Sequence, residues 1–228
     1  MMNTSILPPL LLPLATVGLG FGIALIFKPA VSNNVKLLLS FSGAFLLAIT
    51  VFEFLPEIYE QPNKYVGPFI MIGLLIQILL EFGSKGAEHG HIHQKSDTRF
   101  PLLLFISLGS HSFIEGFPIV DNQELLYGVV IHKIPIAIII SAFLLNAQLS
   151  KLHVFLFLLG FSMMTPLGAF AKAYLPILQS YSLYVNAFAV GILLHVATTI
   201  LFESSKNHQF NASKFAAIVT GVVLAYFL

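Results

Sequence analysis

His111 and Glu115 stand four residues apart in Gly109-Ser110-His111-Ser112-Phe113-Ile114-Glu115-Gly116, and His132 follows in His132-Lys133-Ile134-Pro135. On a helix, residues four apart project from one face, so an imidazole and a carboxylate at this spacing can grip one ion. A second imidazole on a neighbouring helix completes a His, His, carboxylate set. Such donors suit a borderline divalent ion such as zinc or iron(II) rather than magnesium or calcium. The chain has no cysteine, which excludes disulfides, thiolate metal sites and cysteine nucleophiles.

The surroundings of these residues make them conspicuous. Of 228 residues 57% are hydrophobic and 9% charged, and mean hydropathy is +0.90. A soluble domain carries about 25% charged residues, so this chain cannot coat a water-facing surface and reads as an integral membrane protein. Eleven basic and ten acidic residues, without a basic tract, give no footing for nucleic acid. Apolar runs of bilayer length cover Pro8–Phe27, Leu37–Leu55, Tyr65–Phe82, Phe100–Val120, Leu125–Leu145, Val154–Leu175, Leu183–Phe202 and Ala212–Leu228. They do not alternate with period two, so each is expected to be a helix. The first lacks the basic leader of a signal peptide and reads as a retained span. The expectation is one transmembrane domain over residues 1–228, with a His-containing cytoplasmic loop at 83–99 between the third and fourth spans.

Lys and Arg between spans set the orientation. With the N-terminus outside, the inner loops hold Lys28, Lys36, Lys85, Lys95, Arg99, Lys151, Lys206 and Lys214, and the outer side holds Lys64 and Lys172. Both termini are therefore expected outside. A charged group at the centre of a membrane helix costs roughly 2.5–3.5 kcal/mol on insertion scales, which marks His111, Glu115, His132 and Lys133 as functional candidates. Glu53 and Glu57, one turn apart on the outer half of the second span, could hand a cation inward. His195 and Glu203, two turns apart on the seventh, could form an exit lane. His89, His91 and His93 in the inner loop make a short His tract able to capture metal.

His-Ser-Phe-Ile-Glu-Gly in the fourth span and His-Lys-Ile-Pro in the fifth resemble the paired signatures of the ZIP family of zinc/iron permeases. Phe54-Leu55-Pro56-Glu57, Thr165-Pro166-Leu167-Gly168 and Ala187-Phe188-Ala189-Val190-Gly191 are similar to that family's second, sixth and seventh helices. The resemblance implies an all-α protein of eight transmembrane helices in a 3+2+3 arrangement with inverted repeats. It implies alternating access about a midplane site, carrying zinc, or Fe2+, Mn2+ or Cd2+, to the cytoplasm as substrate, with no obligatory cofactor. By position His111, Glu115 and His132 match the primary metal site, and Ser112 takes the place where the family often has Asn. The family's frequent second site uses acids where this chain has Lys133 and Ile136, and a Glu where it has Thr165. The Lys133 ammonium could stand in for a second cation, or serve as a structural partner of Glu115 or Glu53.

Two other readings use the same ligands. An intramembrane zinc hydrolase would need a general base beyond the ligands, and neither an extra acid nor His-Glu-x-x-His occurs here. A metal sensor that binds without moving its ion is kept open by Lys133 and Ile136. Gly18-Leu19-Gly20-Phe21-Gly22 permits close contacts within the chain or in a homodimer. The lack of disulfides and the compact loops lean toward a bacterial inner membrane.

Overall fold

The computed structural model describes residues 6–27, 33–60, 62–84, 100–147, 149–203 and 211–228. The inner-loop tract of His89, His91 and His93, with Lys28, Lys85, Lys95, Arg99 and Lys206, lies outside the described residues. Ten α-helices run in order: α1 Leu7–Phe27, α2 Asn33–Ile49, α3 Leu55–Tyr59, α4 Val66–Ser84, α5 Leu102–Glu115, α6 Gln123–Asn146, α7 Lys151–Tyr174, α8 Pro176–Ser180, α9 Ser182–Glu203 and α10 Ala212–Tyr226. Six helical stretches are long and apolar enough to cross a bilayer: Leu7–Phe27, Asn34–Tyr59, Leu102–Val120, Gln123–Asn146, Lys151–Tyr174 and Ser182–Phe202. Val66–Phe82 and Ala212–Tyr226 are shorter apolar helices. Leu11, Leu19, Ile26, Leu79, Phe155, Phe170 and Val223 all point outward. A surface of that kind has hydrocarbon as its solvent. The chain is a multi-pass integral membrane protein.

Local chemistry sets the helix starts. Asn122, Ser150 and Asn211 each accept the third backbone N–H of the helix they precede, at 2.7, 3.2 and 3.1 Å, which satisfies a donor that the helix cannot. Between α2 and α3 the helix widens into a π turn over Thr50–Phe54, where Leu55 N–H reaches Thr50 O. Pro56 explains the widening: it has no N–H to donate, and its ring would strike the carbonyl four residues back in a regular helix. Glu53 sits on this widened turn.

The helices pack around α6. Of its apolar window 72% is buried, against 28% for α1. Helix α1 lies on α6 and α7, α2 on α6, α9 and α10, α4 on α5 and α9, and α5 on α7. One apolar cluster, with Leu108, Ile136, Ile140, Phe157 and Phe161, fills one end of the bundle. A second, with Leu46, Ile49, Leu125, Val129 and Val190, fills the other. The α5–α7 contact is made backbone to backbone. A Cβ on Gly168 would lie 1.9 Å from Phe113 O, and one on Gly116 would lie 2.3 Å from Thr165 O. Only glycine allows helices this close, and the approach brings Thr165 against the turn that carries Ser112 and Glu115.

Candidate metal centre

The last turns of α5 present His111, Ser112 and Glu115, and the second turn onward of α6 presents His132 and Lys133. Their relative exposures are 3% for His111, 1% for Ser112 and Glu115, 0% for His132 and 2% for Lys133. They form one enclosed polar knot between the two apolar clusters. His111 Nε2 faces Glu115 Oε2 at 3.4 Å, as the four-residue spacing on one helix dictates. Neither of these buried atoms has a hydrogen-bond partner. Buried polar atoms are normally satisfied, so two orphans facing one another point to a missing third party.

The other carboxylate oxygen is fully engaged. Lys133 Nζ donates to Glu115 Oε1 and to Ser112 Oγ at 2.9 Å. The ammonium also lies 5.0 Å from the centroid of the Phe161 ring, whose negative face favours a cation. The Thr165 hydroxyl stands 2.9 Å from Oε1 and 3.0 Å from Ser112 O, and shares its hydrogen between them. Glu115 is thus held by Oε1 and offers Oε2. A buried ion pair is weak ground for stability, because desolvation offsets its Coulomb gain. Placing one here is better explained by what the free oxygen does.

The geometry fits a tetrahedral divalent ion in part. With metal–ligand bonds of about 2.0–2.1 Å, two ligand atoms on a tetrahedron stand about 3.4 Å apart, which is the His111–Glu115 separation. The rings of His111 and His132 are perpendicular, with centroids 6.4 Å apart. To share one tetrahedral ion those rings must close by about 1 Å. Accordingly, among the described residues no three His, Asp or Glu side chains already surround one point; the α5 pair is preset and His132 is its near neighbour. Pro135 deprives the Ile131 carbonyl of its helical partner at the depth of His132.

The remaining sequence candidates fall elsewhere. Glu53 and Glu57 are exposed at the end of α2 and on α3, and Glu57 Oε2 accepts from Asn122 Nδ2 at 2.9 Å beside the start of α6. His195 of α9 is engaged by Glu81 of α4, with Nε2 and Oε2 2.6 Å apart. Glu203 closes α9, and its side chain lies outside the described residues. Sequence reasoning overlooked Glu81 altogether; its one signal was a carboxylate inside the third apolar run. It also overlooked Thr165 as a donor to Glu115, because a threonine in an apolar helix ordinarily bonds its own backbone.

No curated protein matches the chain. The family model of the ZIP zinc transporters matches residues 83–228, which takes in α5 to α10 and every residue of the polar knot. Well over half of the sequence is covered, so the chain belongs to the ZIP zinc transporter family and is a divalent metal transporter, not an enzyme.

Proposed function

We propose that this chain moves zinc into the cytoplasm by alternating access, and that His111, Glu115 and His132 hold the ion at the bilayer midplane. The observation that carries the reading is the pair of orphaned atoms, His111 Nε2 and Glu115 Oε2, at the ligand spacing of zinc. The transmembrane domain is read as eight spans over residues 1–228, with α2 and α3 forming one span, α4 and α10 spanning despite their shortness, and α8 lying outside the count. Both termini face out, as the Lys and Arg distribution requires.

Helix packing supports inverted repeats. Exchanging α1, α2, α4 and α5 for α7, α9, α10 and α6 turns the α1–α6 contact into α7–α5 and α2–α10 into α9–α4. It converts α2–α6 into α9–α5 and leaves α1–α7 and α2–α9 unchanged. Each exchanged span runs the opposite way across the bilayer, which is the symmetry from which two-sided access arises.

Lys133 takes the room of a second cation and leaves a site for one ion. Its ammonium neutralises Glu115 through Oε1 while Oε2 stays available. Glu53 and Glu57 form an outer approach, and the loop at 83–99 with His89, His91 and His93 captures delivered ion on the cytoplasmic side. Fe2+, Mn2+ and Cd2+ compete for the same donors. The membrane is a bacterial inner membrane, and the chain works as a homodimer or alone.

The test is zinc uptake into proteoliposomes at matched reconstitution, comparing wild type with His111→Ala and Glu115→Ala. Uptake by wild type that both substitutions abolish is the expected result. A folded wild type that binds zinc and takes none up would identify a sensor, with the Lys133 clamp on Glu115 as its cause.

A further inference from the structure

We infer that Glu81 and His195 form a second, weaker station for the divalent ion, one helical turn from the central pair toward the C-terminal ends of α4 and α9. The inference rests on the transport reading for its direction, since the proposed orientation makes those ends cytoplasmic. Its chemistry rests on the residues alone. Glu81 Oε2 and His195 Nε2 are 2.6 Å apart with side chains 20% and 17% exposed, so an ion can reach them. The Thr199 hydroxyl lies 3.4 Å from the same imidazole nitrogen.

Two further features tie this pair to the central site. Ser107, one turn before His111 on α5, donates to the carbonyl of Leu80, the neighbour of Glu81. Consecutive spans run antiparallel, so Gln77 of α4 lies level with His111, and Glu81 lies one turn, about 5.4 Å, further along. Gln77 is buried to 1% exposure and its Oε1 has no hydrogen-bond partner. An orphaned amide oxygen on the turn between the two pairs is what a cation passing from one to the other would use.

The separations give the order of affinity. The central pair already stands at the 3.4 Å edge of a tetrahedral site. The inner pair stands at 2.6 Å, a hydrogen bond that an ion must break while spreading the ligands by somewhat under 1 Å. Rigid backbones hold the two helices during that opening. A Cβ on Gly73 would lie 2.0 Å from Phe188 O, and one on Gly191 would lie 1.9 Å from Ile70 O. The opening is therefore a side-chain movement, and the pair closes on itself once the ion has left. A station that is looser than the site feeding it favours onward release.

Cobalt(II) titration of the full-length protein in detergent, followed by its visible absorption, tests this. The parent protein carries His111→Ala with His89, His91 and His93 replaced by Ser, so neither the central site nor the loop contributes. The parent is expected to bind one cobalt per chain. His195→Asn, which can still hydrogen-bond Glu81, should abolish that absorption without lowering the melting temperature, and Glu81→Gln should weaken binding by about tenfold or more. Gln77→Leu should weaken it by a smaller factor. A parent that binds no cobalt, or binding that survives both His195→Asn and His195→Ala, overturns the inference. Uptake that persists in His111→Ala alone refutes the central site instead, and leaves the cobalt count to judge the inner pair.

Discussion

Replacing Lys133 with Met isolates what its ammonium does. In the zinc-free protein the substitution leaves the Glu115 carboxylate, at 1% exposure, with the Thr165 hydroxyl as its remaining donor at Oε1. Removing one partner of a buried pair costs about 3–5 kcal/mol, so the zinc-free variant should melt well below wild type. Zinc reverses the sign. An ion on Glu115 Oε2 sits about 5–6 Å from Nζ, where a divalent and a monovalent cation repel by at most about 6 kcal/mol at an effective dielectric of about 20. Even a quarter of that ceiling is tenfold in affinity. Lys133→Met should therefore bind zinc at least about tenfold more tightly, and turn over more slowly because tight binding retards release.

The assay is thermal unfolding in detergent with and without zinc, beside isothermal titration and vesicle uptake. The expected signature is a lowered zinc-free melting temperature, a larger zinc-induced rise, a smaller Kd and a slower uptake rate. Lys133→Met with Glu115→Gln removes both charges, and should restore zinc-free stability while losing zinc binding. If Lys133→Met keeps wild-type melting, affinity and uptake, the ammonium is a bystander and its role as a stand-in cation is wrong.

Thr165→Val keeps the side-chain shape and deletes the donor shared between Glu115 Oε1 and Ser112 O. A stability loss of about 1–3 kcal/mol is expected, smaller than that of Lys133→Met, and chemical denaturation compares the two. Gly168→Val meets Phe113 O, which already lies 1.9 Å from where a Cβ would stand. The turn from Ser112 to Gly116 must then shift, so zinc should no longer raise the melting temperature of whatever folded protein gel filtration recovers. Deleting Glu88 to His93 should leave the vesicle uptake rate unchanged, since the loop is read as capture rather than passage; loss of uptake at normal expression contradicts that.

The sequence disclosed the spans and the central site because both are written in local terms. A run of about 20 apolar residues is a bilayer crossing wherever it occurs, and the boundaries expected at Phe27, Phe82 and Phe202 fall within two residues of the ends of α1, α4 and α9. His111 and Glu115 share a helix, so their spacing alone fixed their encounter. His195 shows the limit of that logic. Its same-helix neighbour Glu203 was the visible candidate, yet its partner is Glu81, 114 residues away. What joins them is the register of α4 on α9, set where Gly73 meets the Phe188 carbonyl and Gly191 meets that of Ile70. Nothing periodic in either helix announces that register. Thr165 was obscured for the same reason: its contact with Glu115 depends on Gly116 and Gly168 letting α5 and α7 touch. In hydrocarbon, side chains gain little by leaving lipid for one another, so close backbone approach takes over the task of choosing neighbours. Glycines that look like mere absences of side chain therefore decide which polar residues meet, at the central site and at the inner pair alike.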